Sequence, residues 1–310
     1  KGKAEVETII NNNEAPNFAN TIEALEQSGT LVSRIAEIFY NLNSAETNDE
    51  IQKIARDFSP KLTEYGNDIM LNPQLFARVK AVYDKGMDGL SEEQEMLLTK
   101  SYNAFTRNGA NLGESQKAEL REIDRELSGL SLQFGENVLA ETNDYEMIIS
   151  DEADLAGLPD SVKEAAAETA TEKGYEGKWV FTLQYPSYIP FITYADNRKL
   201  REELSRAFGS RAFKDNERNN SEIVKKIAKL RYKRAQLLGF ENHAEYMLQE
   251  RMAERPEKVK TFLDDLLVAA KPFGKKEVEE LAAYAKKRDG PSKMGFWLLQ
   301  RKTEAREISD

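Results

Sequence analysis

The sequence predicts a mainly α fold that carries a small β insert. Apolar residues recur in steps of three and four along most of the chain, the spacing that lines up one face of a helix. Helix-start signatures precede several of these runs. Only the stretch 145–196 departs from the pattern, with Trp179, Phe181 and Leu183 alternating against Val180, Thr182 and Gln184.

Taken in chain order, Asn20 followed three residues later by Glu23 has the form of a capping box, and Gly29 offers a stop. The next helix places Leu31, Ile35, Ile38 and Phe39 on one face. Ser91 and Gln94 repeat the capping signature ahead of "EMLLTKSYNAF". From Leu120 onward, Ile123, Leu127, Leu130, Phe134 and Val138 keep a single stripe on a long helix. "YEMIIS" (Tyr145–Ser150) and "KWVFTLQYPSYIPFITYAD" (Lys178–Asp196) predict two or three short strands, with the Ala-rich helix "SVKEAAAETATEKG" between them. Pro186 and Pro190 have no N–H to give a ladder, which places the second segment at an edge or a bend. Further stripes run through Ile223, Ile227, Leu230 and Leu237, then through Val259, Phe262, Leu266, Ala270 and Phe273. All the stripes are expected to be core seams. The resulting division is a helical region 1–144, the β insert with its short helix 145–196, a second helical region 197–290 and a tail 291–310.

Composition narrows the function. Of 310 residues, 40% are hydrophobic and 32% charged, the balance of a globular chain, with no run approaching the ~20 apolar residues of a membrane span. A net charge of −10 and a pI near 5.1 oppose binding to a phosphate backbone, so no nucleic-acid partner is expected. There is no cysteine, which excludes disulfides, thiolate catalysis and Cys-ligated zinc. Compartment stays open between cytoplasm and periplasm.

The single histidine is the most restrictive count. A metalloprotease HExxH helix needs two His one turn apart to face one metal ion, and His243 alone cannot supply them. In "LGFENHAEYML" it is expected at the start of a helix or on the surface. Tyr185, Tyr188 and Tyr194 could line a substrate wall, but are expected to pack the insert against its neighbours. Arg198, Arg201, Arg206 and Arg211 could meet a peptide carboxylate, but Asp196, Glu202 and Glu203 lie near enough to make them ordinary surface pairs. No catalytic or metal residue is assigned within this chain, and no substrate-binding residue is identified.

Four segments carry a resemblance. "INNNEAPNFANTIEALEQSG", "FYNLNSAETND", "GYEGKWVFTLQYPSYIPFITYADNRKLREELSRAFGSRA" and "KKIAKLRYKRAQLLGFENHAEYMLQERMAERPEKVKTFL" stand in the order and spacing typical of the thimet oligopeptidase family of zinc metallopeptidases. The chain is most similar to the bacterial peptidyl-dipeptidase branch, over nearly all of Lys3 to Arg288. The resemblance implies the elongated helical lobe of a two-lobed, zincin-like oligopeptidase whose channel admits short peptides. It also implies zinc and an HExxH helix in the other half, to which nothing in this sequence corresponds. The expectation is therefore an amino-terminal, non-catalytic portion, inactive alone and without a cofactor of its own, which could self-associate through a face made for the absent half. A free-standing helical scaffold or peptide-binding protein is the alternative.

The tail "MGFWLLQRKTEAREIS" departs from the family's Trp-Asp…Tyr-Tyr segment. A DNA string encoding Trp-Asp-Phe-Gly-Tyr-Tyr-Ser-Glu-Lys in one frame yields Met294 onward when read one base earlier. Residues 291–310 are accordingly expected to be out-of-frame translation.

Overall fold

The computed structural model describes residues 1–289. The chain divides into two units, Lys1–Gln133 with Ile223–Met252, and Phe134–Glu222 with Ala253–Asp310. The expected tail at 291–310 lies outside the described residues.

In the first unit, α1 (Gly2–Ile10) is followed by a π-helical turn, Phe18–Glu23, that runs on into α2 (Ala24–Gln27). The capping box is present but sits three residues earlier than the sequence suggests. The Asn17 side chain accepts from the Asn20 N–H, and the Asn20 side chain accepts from the Asn17 N–H. Asn at both ends is chemically equivalent to the Ser/Glu form, so the sequence alone leaves Asn20 able to fill either position of the motif. Gly29 ends the segment at φ +71, a conformation in which a Cβ is strained.

Helices α3 (Thr30–Ala45), α4 (Asp49–Met70), α5 (Pro73–Asp84) and α6 (Glu92–Arg107) follow. The Ser91–Gln94 box forms as predicted, and Asn72 caps α5 with Pro73 in its first turn. Val6, Ile9, Ile22, Leu75, Val79, Leu98 and Phe105 make the core where α1, the π-turn, α5 and α6 meet. The unit is completed by the first part of α7 (Glu114–Asn143), most of α11 (Ser221–Leu237) and α12 (His243–Leu248). Ile123 is buried, while Leu127 and Leu130 on α7, and Ile223, Ile227, Leu230 and Leu237 on α11, are half-buried, so these two stripes serve as seams.

The second unit holds the β insert. β1 (Met147–Ile149) pairs antiparallel with β2 (Trp179–Phe181) in the register Met147↔Phe181 and Ile149↔Trp179. α8 (Asp160–Glu172) lies between them in sequence and packs on β2. The expected strand through 182–193 is not there: Tyr185–Tyr194 is a helix, α9. Pro186 falls in the first turn, where a missing N–H costs nothing, and Pro190 removes one internal bond. Tyr188, Phe191, Ile192 and Ala195 are all buried, a spacing of three, one and three that belongs to a helix. Aromatic and β-branched composition suggested strand, but burial along this 3.6-residue period decided the conformation. α10 (Arg198–Gly209) then closes a core of Met147, Ile149, Leu155, Phe181, Phe191, Ile192 and Leu204.

Two stripes expected in the core are at the surface. On α3, Leu31, Ile35 and Ile38 are exposed and only Phe39 is half-buried. On α13 (Pro256–Asp289), Val259 is half-buried, but Phe262, Leu266, Ala270 and Phe273 are exposed. Periodicity reports that a helix has an apolar face; it does not report that this chain contains the partner.

Candidate functional site

A polar cluster in the first unit ties α6, α7, α11 and α12 together. Arg234 on α11 donates from Nε to Asp124 Oδ1 on α7 at 2.6 Å and from Nη2 to Asn108 Oδ1 at 3.2 Å. The Tyr246 hydroxyl of α12 donates to the same Asn108 oxygen at 3.2 Å. Arg107, last residue of α6, donates to the Tyr246 carbonyl at 2.7 Å and lies over the Tyr246 and Phe240 rings at 4.7 and 5.8 Å. Burial alone would lower the Arg234 pKa; the Asp124 carboxylate and the Tyr246 oxygen outweigh it and hold the value raised. Arg234, Arg107 and Tyr246 each donate to an acceptor on another helix or its cap, so the cluster fastens helices. No spacing in the sequence links positions 107, 108, 124, 234 and 246; only the tertiary fold brings them together.

His243 is where the sequence placed it, first residue of α12 behind the cap Asn242, whose side chain accepts from the Glu245 N–H at 3.0 Å. Burial, then the positive charge of Arg231 and Arg234, hold its pKa below the ordinary histidine value. Its Nδ1 is buried without a hydrogen-bond partner.

In the second unit the three tyrosines separate. Tyr188 is buried and stacked on Phe208 with centroids 4.2 Å apart, Tyr194 is half-buried, and Tyr185 is exposed. Packing is thus the role of Tyr188, as expected. Arg206 pairs with Glu202 at 2.8 Å on the surface, also as expected. Arg211 donates to Thr142 Oγ1 and to the Phe208 carbonyl, both at 2.9 Å, and covers the Phe208 ring at 3.7 Å. Arg198 is half-buried.

Arg201 corrects the surface-pair reading. It is fully buried and donates to the carbonyls of Ala195 and Asp196 at 2.5 and 3.1 Å, satisfying acceptors left open at the end of α9. Its long side chain reaches a buried junction where Gly157, at φ +85, approaches Tyr194 and Asp196 too closely for any Cβ. In the same unit, Glu141 is held by Lys214 at 2.7 Å and Asn216 at 2.6 Å, and the Lys214 bond is the main cause of its lowered pKa. Burial, with Glu203 beside it, pushes the Tyr145 hydroxyl up to about 12.

Each unit has one groove of note among the described residues. The first, about 360 Å³, is lined by Lys61, Glu64, Asn67, Arg121, Glu122 and Arg125, so its charges are mixed in sign. The second, about 290 Å³, runs between α8 and β2 past Val162, Phe181, Thr182 and Ser187. The Ser187 hydroxyl accepts from the Thr182 N–H at 3.0 Å, with no base against it in the groove lining. Thr63 also lines the first groove, and its hydroxyl donates to the Ser59 carbonyl at 3.1 Å rather than to a carboxylate base.

A model of peptidase family M3 matches residues 191–309. The dipeptidyl carboxypeptidase of Escherichia coli is 35% identical over 93% of this chain and 42% of its own length. Oligopeptidase A of Haemophilus influenzae is 35% identical over 91% of this chain and 42% of its own length. The chain belongs to peptidase family M3. A probable cytosolic oligopeptidase A of Arabidopsis thaliana extends the similarity to a plant, at 30% identity over 87% of this chain. The M3 chain spans about two fifths of the length of these curated relatives, and the matched stretch runs through the residues expected to be out of frame.

M3 peptidases are zinc enzymes, so the donors of this M3 chain can be tested against that ion. Among the described residues no group of three His, Cys, Asp or Glu is placed to hold a metal. The sole histidine lies beside Arg231 and Arg234, whose charge disfavours a second cation there. The tightly held carboxylates, Asp124 and Glu141, already satisfy Arg234 and Lys214. This donor set does not fit catalytic zinc, which takes three protein ligands and leaves a position for water.

Proposed function

We propose that this chain is the non-catalytic helical portion of a zinc-dependent oligopeptidase or peptidyl-dipeptidase acting on short peptides, and that it has no hydrolytic activity by itself. One observation carries the reading: 35% identity over nearly the whole chain to a dipeptidyl carboxypeptidase of which it spans 42%, in a sequence with one histidine. A zinc peptidase lowers the pKa of metal-bound water to about 7 and uses a neighbouring carboxylate to carry the proton. Arg234 and Asp124 in the first unit, and Lys214 and Glu141 in the second, are instead committed to each other within their own unit. They suit a body that shapes and supports a substrate channel. No helix among the described residues is long and apolar enough to cross a membrane.

The test compares the 310-residue chain with the same chain joined in frame to the remaining three fifths of the Escherichia coli relative. The joined protein should bind one zinc and release dipeptides from short peptides, and the chain alone should do neither. Zinc-dependent release by the chain alone would overturn the proposal.

A further inference from the structure

The sequence holds a single Asn-Gly pair, Asn108–Gly109, and the fold requires both residues. Asn108 is the C-cap of α6. Gly109 follows at φ +95 and donates to the Thr106 carbonyl at 3.4 Å, while the Ala110 N–H donates to the Phe105 carbonyl at 3.0 Å. These are the two bonds of a Schellman turn, which takes glycine at its left-handed position. Packing excludes a side chain there as well: a Cβ on Gly109 would lie 2.8 Å from a Leu120 methyl and 3.0 Å from one of Leu112.

Asn-Gly is chemically labile, because a residue without a Cβ leaves its nitrogen free to reach the preceding side-chain carbonyl. The Gly109 nitrogen attacks Asn108 Cγ, the new N–Cγ bond closes a five-membered imide, and the Cγ–Nδ2 bond breaks. Ammonia leaves with the proton that Gly109 gives up. Water then opens the imide at either carbonyl, giving aspartate, or isoaspartate in which the main chain runs through Cβ and Cγ. The net change is asparagine plus water to aspartate or isoaspartate plus ammonia, and it needs no enzyme or oxidant. The folded chain blocks each part of this step. At ψ 17 the Asn108 backbone turns the Gly109 nitrogen away from Cβ, so ring closure requires a large rotation about the Asn108 Cα–C bond that breaks the Schellman bonds. The side chain is held at both ends: Nδ2 donates to the Ala104 carbonyl at 2.8 Å, and Oδ1 accepts from Arg234 Nη2 and the Tyr246 hydroxyl, each at 3.2 Å. Reaction therefore waits until the junction of α6, α11 and α12 opens.

We propose that Asn108–Gly109 is a site of spontaneous deamidation latched by Arg234 and Tyr246, and that its modification permanently loosens this junction. Isoaspartate adds a methylene to the main chain where Gly109 packs against Leu71, Leu112 and Leu120. Aspartate sets a second carboxylate beside Arg234, which is already paired with Asp124. The inference is independent of the peptidase reading, since it concerns only the first unit.

Peptide mapping by mass spectrometry tests it on the 310-residue chain, aged in warm, mildly alkaline buffer. In enough urea to unfold the chain, Asn108 should deamidate ahead of every other asparagine. Without urea its rate should fall about tenfold or more, since only the opened junction reacts. Tyr246→Phe, which removes one hydrogen bond to Oδ1, should raise the folded rate about threefold or more and leave the rate in urea unchanged. Arg201→Met, which acts in the other unit, should leave both rates unchanged. Chain modified at Asn108, separated by ion exchange, should unfold at a lower urea midpoint than unmodified chain. Equal rates with and without urea, another asparagine reacting faster in urea, no acceleration in Y246F, equal acceleration in R201M, or an unchanged midpoint after modification would each overturn the proposal.

Discussion

Replacing Arg234 with methionine keeps most of the side chain's length and removes the guanidinium at the centre of the first unit's polar cluster. The 2.6 Å bond to Asp124, the 3.2 Å bond to Asn108 and the contact over the Tyr246 ring at 5.1 Å would all go. Asp124, only 14% exposed, would be left as a charge without its counter-ion. Removing one partner of a buried pair costs about 3–5 kcal/mol, and the residual exposure of both ends lets water relieve some of it, so R234M should lose about 2–4 kcal/mol. The double variant D124L/R234M removes both charges and should lose less than the sum of the two single changes by at least ~1 kcal/mol. Urea unfolding followed by circular dichroism at 222 nm measures all four proteins of the cycle. A loss below ~1 kcal/mol for R234M, or strict additivity in the double variant, would refute the account of this cluster as a buried, mutually dependent fastening.

Other outcomes follow from single contacts. Arg201→Met should destabilise the second unit by about 1–3 kcal/mol for each carbonyl left buried and unsatisfied, read as a lowered urea midpoint. Gly157→Ala should cost more than ~1 kcal/mol, because φ is +85 and the new Cβ would lie 2.7 Å from Asp196 Oδ1; an unchanged melting temperature would contradict the close approach. His243 has a folded pKa below its unfolded value of about 6.5, so its contribution to stability is complete above that pH and is lost as pH falls towards the folded value. Thermal unfolding between pH 7.5 and 5.5 should therefore show falling stability that His243→Gln makes shallower, and an equal slope in the variant would reject this role.

What the sequence disclosed and what it concealed divide along physical lines. Capping chemistry is local, so Ser91 and Gln94 were legible, and the only slip was between Asn17 and Asn20, where the same residue type occupies both ends of the motif. The stripes on α7 and α11 identified seams that exist. The equally regular stripes on α3 and α13 lie at the surface, because a period cannot say whether a partner is present. α9 was hidden by its own composition: Tyr, Ile, Phe and two prolines favour extended structure, and the burial of Tyr188, Phe191 and Ile192 reversed the preference. Arg201 looked like a surface charge since no local feature announces that a long side chain turns inward to cap a neighbouring helix. The Arg234 cluster was illegible for a related reason, being assembled from residues more than a hundred positions apart. The count of one histidine and no cysteine needed no structure, and it bears most on function.

Peptide cleavage by the purified 310-residue chain, incubated with zinc and a short unblocked peptide and followed by mass spectrometry with and without a chelator, tests the central claim most directly. The account predicts intact peptide in both arms and no zinc retained after gel filtration. Dipeptide products that vanish on adding the chelator would contradict it.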